Sequence, residues 1–263
     1  MTAGTCLAFP ATEREIVMVR TFLIRGMLVG ILAGLVTFVF ARIFGEPQVD
    51  LAIAFEDHLH QMAGEAAEPE LVSRQIQSTL GLLTGVLVYG CALGGIFSLV
   101  FAYAYGRMGR LGAQATAAML AAAGFVSIIL VPQIKYPANP PSIGNPETIG
   151  MRTELYFGII VVSIIALIAA INLGRGLHTR LGGWNASLSG AGAYIAIIAG
   201  AFYALPPVNE VPADFSAVVL WNFRLASLGM QIVLWTTLGV VFGLLAQHSV
   251  AALQLRSSTA ATR

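Results

Sequence analysis

The sequence predicts an all-α integral membrane protein of about six transmembrane helices, and three observations carry that expectation. Hydrophobic residues make up 57% of the 263 and charged residues only 10%, against about 25% charged in ordinary soluble domains, so the chain cannot cover a globule with water-compatible groups. Six apolar runs are each long enough to cross roughly 30 Å of hydrocarbon at about 1.5 Å per residue. The charges are sorted between the loops: one set carries arginine and the other carries nearly all the acid.

Residues 1–17 are mixed and without periodicity, and read as a disordered leader, with Met18 an alternative start to the chain. The first run, 22–44, is longer than a signal-peptide core and lacks a small-residue cleavage site, so it is an uncleaved helix. The following runs are 79–103, 114–131, 155–173, 186–205 and 226–246, the third being Ala-rich and short. They define a membrane domain over 18–247 with a long polar outer loop at 45–78 and a flexible tail at 248–263.

Arginine in short loops marks the cytoplasmic side. Arg107 and Arg110 occupy one tight turn and Arg175 and Arg180 another, while Arg14, Arg20, Arg256 and Arg263 belong to the ends. Eleven of the 13 acids fall in the opposite loops, which places both termini in the cytoplasm. The two tight turns share a Gly-Arg then Arg-Leu-Gly pattern, and Arg74, Arg152 and Arg224 recur at a spacing of about 75 residues, each ahead of a Gly-containing run. That weak repeat suggests three helical hairpins in one orientation.

Glycine every fourth residue opens a groove for another helix backbone, and Gly26, Gly30 and Gly34, Gly81 with Gly85, Gly90 with Gly94, and Gly239 with Gly243 follow that rule. Arg25 lies about one turn into the first run, from where it can snorkel to the interface or meet a partner inside the bundle.

The composition excludes several functions. The net charge of +1, without a dense basic cluster, gives no reason to expect nucleic acid. No GxxxxGK[ST] loop or HExxH helix is present, so neither ATP chemistry nor zinc hydrolysis is expected, and the chain is read as a non-enzyme without a permanent cofactor. No Asp, Glu, His or Lys lies mid-span, which disfavours a self-sufficient proton-coupled carrier. Cys6 and Cys91 sit in unlike settings and form no disulfide framework.

Chemistry concentrates in the acid-rich loops. The segment Glu56-Asp57-His58-Leu59-His60-Gln61-Met62 offers carboxylate, imidazole and thioether, a donor set suited to cobalt, nickel or zinc; Glu56, Asp57, His58, His60 and Met62 are the candidate metal ligands. An extended backbone would pair His58 with His60, whereas a helix would pair Glu56 with His60. Pro-rich loops at 135–141 and 205–212 cannot be regular helix, and with Glu46 they would bring Asn139, Asn209 and Glu210 to line an entry.

Four segments carry a resemblance: Val19-Arg20-Thr21-Phe22-Leu23, Phe44-Gly45-Glu46-Pro47-Gln48-Val49-Asp50, Lys135-Tyr136-Pro137-Ala138-Asn139-Pro140-Pro141, and Val208-Asn209-Glu210-Val211-Pro212-Ala213-Asp214-Phe215. Over residues 18–247 the chain resembles the CbtA-type predicted cobalt transporter subunits. The resemblance implies a multi-pass protein of a bacterial inner membrane, a permease subunit with cobalt as its transported ion and a link to cobalamin metabolism. It also implies a small single-span CbtB-like partner with a His-rich end. Members of that family often carry a His-richer first outer loop, and here His58 and His60 alone represent it. A homo-oligomer stays open, as do two rivals: a non-transporting scaffold subunit, and a membrane enzyme acting on a lipid through the outer carboxylates and Lys135.

Overall fold

The computed structural model of the chain describes residues 11–64, 71–109, 111–141 and 143–251. Residues 1–10 of the leader expected over 1–17 and 252–263 of the tail expected over 248–263, with Glu65, Glu68, Glu70 and Arg110, lie outside the described residues, while 11–17 and 248–251 are helical. Among those described there is no strand. The elements in order are α1 (Ala11–Phe40), a π-helical segment Ala41–Gly45, α2 (Glu46–Ala63), α3 (Arg74–Ile76), a π segment Gln77–Gly81, α4 (Leu82–Ala104), α5 (Ala113–Gly124), a π segment Phe125–Leu130, α6 (Val131–Lys135), a 3-10 turn Pro146–Thr148, α7 (Ile149–Ala204), α8 (Ala217–Thr237) and a π segment Leu238–Phe242, with helix continuing over 243–251.

Among the described residues five helical stretches are long and apolar enough to cross a membrane: Met18–Ala63, Arg74–Ala104, Ala113–Lys135, Pro146–Ala204 and Ala217–Ala251. Each expected run falls within one of them, save that the fifth overruns by Leu205, and the fourth stretch holds two. Its 59 residues would extend roughly 90 Å as one rod, far beyond a bilayer's thickness. The stretch is broken at Gly182, whose φ of 74° and ψ of 166° are open to glycine and strained for other residues. On either side of that break the arms pack back to back. A Cβ on Gly190 would come within 2.8 Å of the Ala170 carbonyl oxygen, Gly174 lies against the Ala186 carbonyl, and Ser163 shares a 2.8 Å hydrogen bond with Tyr194. As one partner's number rises the other's falls, so the arms are antiparallel.

The expected outer loop at 45–78 is helical over Glu46–Ala63, continuing from α1 through the π segment. Pro47 has no N–H to give to the preceding turn and its ring crowds the carbonyl four residues back, and the π segment lies directly ahead of it, where the regular ladder gives way. The helix stops at Gly64, whose left-handed φ of 69° lets its N–H reach the Gln61 and His60 carbonyls.

By internal contacts the chain divides into two units. One comprises 1–38, 79–122 and 233–263, the other 39–78 and 123–232. In the first, α1 and α4 run antiparallel with their backbones touching. Gly26 faces Gly94, Gly30 faces Gly90 and Gly34 faces Val86, and a Cβ at any of the three glycines would overlap a carbonyl oxygen opposite. Gly90 and Gly94 therefore supply the far side of the groove, whereas Gly81 is exposed and Gly85 has open space around its Cα. Gly239 and Gly243 similarly admit Ala121 and Ala117. Phe22, Phe97, Phe101 and Phe242 close this unit with edge-to-face rings 5.1 to 6.2 Å apart. Arg25 has a partner in the bundle: it donates to the Leu245 carbonyl at 2.8 Å and to Ser249.

In the second unit one cluster joins Val131, Ile159, Ala166 and Ile198. Another joins Ala52, Ile143 and Phe215, with Phe55 edge-on to Phe215 at 5.0 Å, and anchors α2 to the segments that follow the two Pro-rich loops.

Candidate functional site

Helical periodicity decides the geometry of the 56–62 segment. On α2, Glu56 stands one turn from His60, and His58 one turn from Met62. The alternative pairing of His58 with His60 does not occur, because residues two apart on a helix point away from each other. Asp57, His58 and Met62 are exposed, while Glu56 and His60 are half-buried. Among the described residues no group of three or more His, Cys, Asp or Glu side chains is placed to hold a metal ion. The helix thus presents donors in pairs, and a tetrahedral site would need others from elsewhere.

The expected entry-lining residues are held differently. Glu46, nine-tenths buried, is paired with Arg74, whose Nε also donates to Asp50 at 3.0 Å. Arg42 stands 4.0 Å from the same Glu46 carboxylate and donates to the Ser78 carbonyl. Asn139 accepts from Arg224 at 2.9 Å, and the same guanidinium reaches the Ala138 carbonyl at 3.2 Å. Glu210 uses both oxygens: one accepts from the Thr148 hydroxyl, and the other from the Asn145 amide at 2.8 Å and Arg152 at 3.2 Å. These donors hold the Glu210 carboxyl below its ordinary pKa, the Thr148 bond most of all, then the Asn145 amide, with Arg152 adding its charge. Asn209 is exposed, and its side chain accepts from its own loop at the Val211 amide, 3.4 Å away.

The three clamps share one plan. In each, an arginine in the N-terminal half of a helix reaches the segment that follows the end of another: Arg74 to Glu46 after α1, Arg152 to Glu210 after α7, Arg224 to Asn139 after α6. The family model for the probable cobalt transporter subunit CbtA matches residues 19–247, which takes in every one of these clamps and the α2 donors. The chain belongs to the CbtA family. It is a multi-pass membrane protein of a family of transporter subunits. No curated protein and no solved structure matches it.

Within this CbtA-family chain, sequence reasoning missed the groups that occupy the entry residues. Arg42, Asn145 and Thr148 had no visible motif. Gly144 had none either, yet its φ of 129° strains any side chain, and a Cβ there would meet the Arg152 guanidinium. The recurring spacing of Arg74, Arg152 and Arg224 was the signal available, and it indicated a repeat without indicating partners. Lys135 donates to the Phe202 and Leu205 carbonyls at 2.7 and 2.8 Å, capping the C-terminal end of α7 where a cation is favoured. Tyr136 donates to the Pro206 carbonyl at 3.0 Å, and burial raises its phenol above the ordinary value, keeping the proton on.

Proposed function

We propose that this chain is the membrane subunit through which a divalent transition metal, cobalt foremost, enters a bacterial cell in support of cobalamin metabolism. The observation that carries the reading is the helical presentation of Glu56 with His60 and His58 with Met62 on a chain of the CbtA family. In this reading the acid-rich loops face outward in the inner membrane, the two arms of α7 make separate crossings for six in all, and both termini are cytoplasmic. The acid-rich face concentrates cations by its field. Each α2 donor pair makes first contact, and the remaining ligands come from a small single-span, CbtB-like partner. Borderline donors of this kind favour cobalt, nickel and zinc over magnesium or calcium.

The test is entry of cobalt, nickel and zinc into vesicles carrying the purified chain, with and without a single-span partner. Cobalt entry that depends on this chain is the expected result, with the His58→Ala/His60→Ala double variant losing most of it. Equal flux in vesicles lacking the chain would favour a scaffold role. Against a lipid-modifying role stands the engagement of Lys135 and Glu210, whose polar atoms are already committed to structural bonds.

A further inference from the structure

We infer that Arg224 holds the phosphate of an anionic phospholipid, in the leaflet at the end where the Pro-rich segment 135–141 meets α8. The inference stands whether or not the chain carries metal.

Charge balance sets this arginine apart. Arg74 meets the carboxylates of Glu46 and Asp50, and Arg152 meets that of Glu210. The third clamp has no such partner. Arg224 donates from Nε to the Ala138 carbonyl and from Nη2 to the Asn139 side chain, both uncharged, and it forms no ion pair among the described residues. Lys135, three residues ahead of Ala138 in the chain, likewise donates only to carbonyls, those of Phe202 and Leu205. One short segment therefore carries a lysine and binds an arginine without a counter-charge. A guanidinium keeps its charge at any ordinary pH, and holding it half-buried is costly unless an anion accompanies it.

Position selects the anion. Arg224 belongs to the spanning stretch Ala217–Ala251, about 10 Å along α8 from its first residue at about 1.5 Å per residue. Trp221 is 62% exposed one turn earlier on the same side of the helix, and an exposed indole settles at headgroup level. Helical side chains lean toward the N-terminus, so the guanidinium is carried from its own Cα toward the level of Trp221, where Ala138 and Asn139 keep it. The anion abundant at that level is a lipid phosphodiester. A guanidinium fork matches phosphate oxygens in pairs, and after its two inward bonds this one has N–H groups to spare. A headgroup of net negative charge suits the site better than a zwitterionic one, whose own ammonium already balances its phosphate.

Trp221 also reports the contact. In the Trp184→Phe/Trp235→Phe background it is the sole tryptophan, and the full chain in vesicles is titrated with brominated phosphatidylglycerol or brominated phosphatidylcholine, which quench an indole they touch. Half-quenching by phosphatidylglycerol is expected at an about fivefold lower mole fraction, the advantage of roughly one basic side chain near a charged membrane surface. Arg224→Gln is expected to remove most of that preference. Asn139→Ala loosens the tie to the loop, leaves the charge in place and is expected to keep it.

Equal quenching of the parent background by the two lipids would overturn the inference, and that measurement needs no variant of Arg224 to fold. So would a preference that survives Arg224→Gln, or one lost equally in Asn139→Ala, which a purely structural tie predicts. A preference removed by inorganic phosphate and kept in sodium chloride of equal ionic strength would also overturn it, because the site would then hold a free anion.

Discussion

The glycine seam of the first unit and the acid-rich loops of the second are held together by different physics. Between α1 and α4 the contact is backbone on backbone: Gly26, Gly30 and Gly34 oppose Gly94, Gly90 and Val86 with no room for a methyl group. Lipid tails are as apolar as leucine, so such a seam is stabilised by close packing rather than by escape from water. Around Glu46, Asn139 and Glu210 the bonds are instead between charged or polar side-chain ends, several of them wetted. A seam made by shape cannot loosen gradually, because packed interfaces have few intermediate states. A clamp made by guanidinium and carboxylate can exchange partners one at a time. Shape and charge are therefore carried by different residues of one chain, and each can be attacked separately.

The largest effect is expected from the seam. Gly30→Val places three carbons where the Gly90 carbonyl now sits, with no flexible side chain to move aside. Loss of monodisperse protein in detergent is the expected outcome, while Gly85→Val, facing open space, should purify normally. Equal yields from both would mean that the seam is not what holds α1 to α4. A smaller effect is expected at the ring cluster, where Phe242 is fully buried against Phe22, Phe97 and Phe101. Phe242→Ala leaves a cavity, and in lipid it forfeits packing without the full transfer energy, so a loss of about 2–3 kcal/mol is expected in a denaturant titration.

Much of this division was legible in the sequence, and the rest was hidden for physical reasons. Apolar run length placed the runs in the five long apolar helices, because bilayer thickness leaves the chain little choice. The Gly26-Gly30-Gly34 groove was equally readable, since period four on a helix defines a face without reference to anything else. Gly81 and Gly85 satisfy the same rule and remain exposed, because spacing shows that a groove exists and says nothing of what fills it. The helix at Glu46–Ala63 was obscured by composition: its polar residues read as loop, while tertiary anchors at Ala52 and Phe55 stabilise the helix. The clamps were least legible of all. Arg152 meets Glu210 and Arg224 meets Asn139 across dozens of residues, pairings that depend on which helices become neighbours.

The loops offer a gentler test through acidity. The Glu210 carboxyl titrates below its ordinary value of 4.5, so the bonds it makes stabilise the folded chain above that pH and are lost as pH falls through the lowered value. Melting curves of the parent and of Glu210→Gln should differ near neutrality and converge on acidification below about 4.5. A gap that stayed constant down to strong acid would show that the charge on Glu210 contributes nothing.

The smallest expected effect belongs to Gln247, and it tests whether the first unit is fastened by shape throughout. The Ala113 backbone N–H opens α5 with no turn before it to bond to, and Ala113 itself is fully buried. The side-chain oxygen of Gln247, from the helix that follows Phe242, accepts that proton at 3.1 Å. Helix starts leave such donors unpaired unless a side chain reaches them, and an orphaned buried N–H costs about 1–3 kcal/mol. Gln247 is exposed, so water can take its place in part, and Gln247→Ala should cost about 1 kcal/mol, at the low end of that range. Gln247→Glu keeps the acceptor and should retain the parent's melting temperature at neutral pH. Equal destabilisation by both substitutions would mean that the amide's packing matters and its oxygen does not.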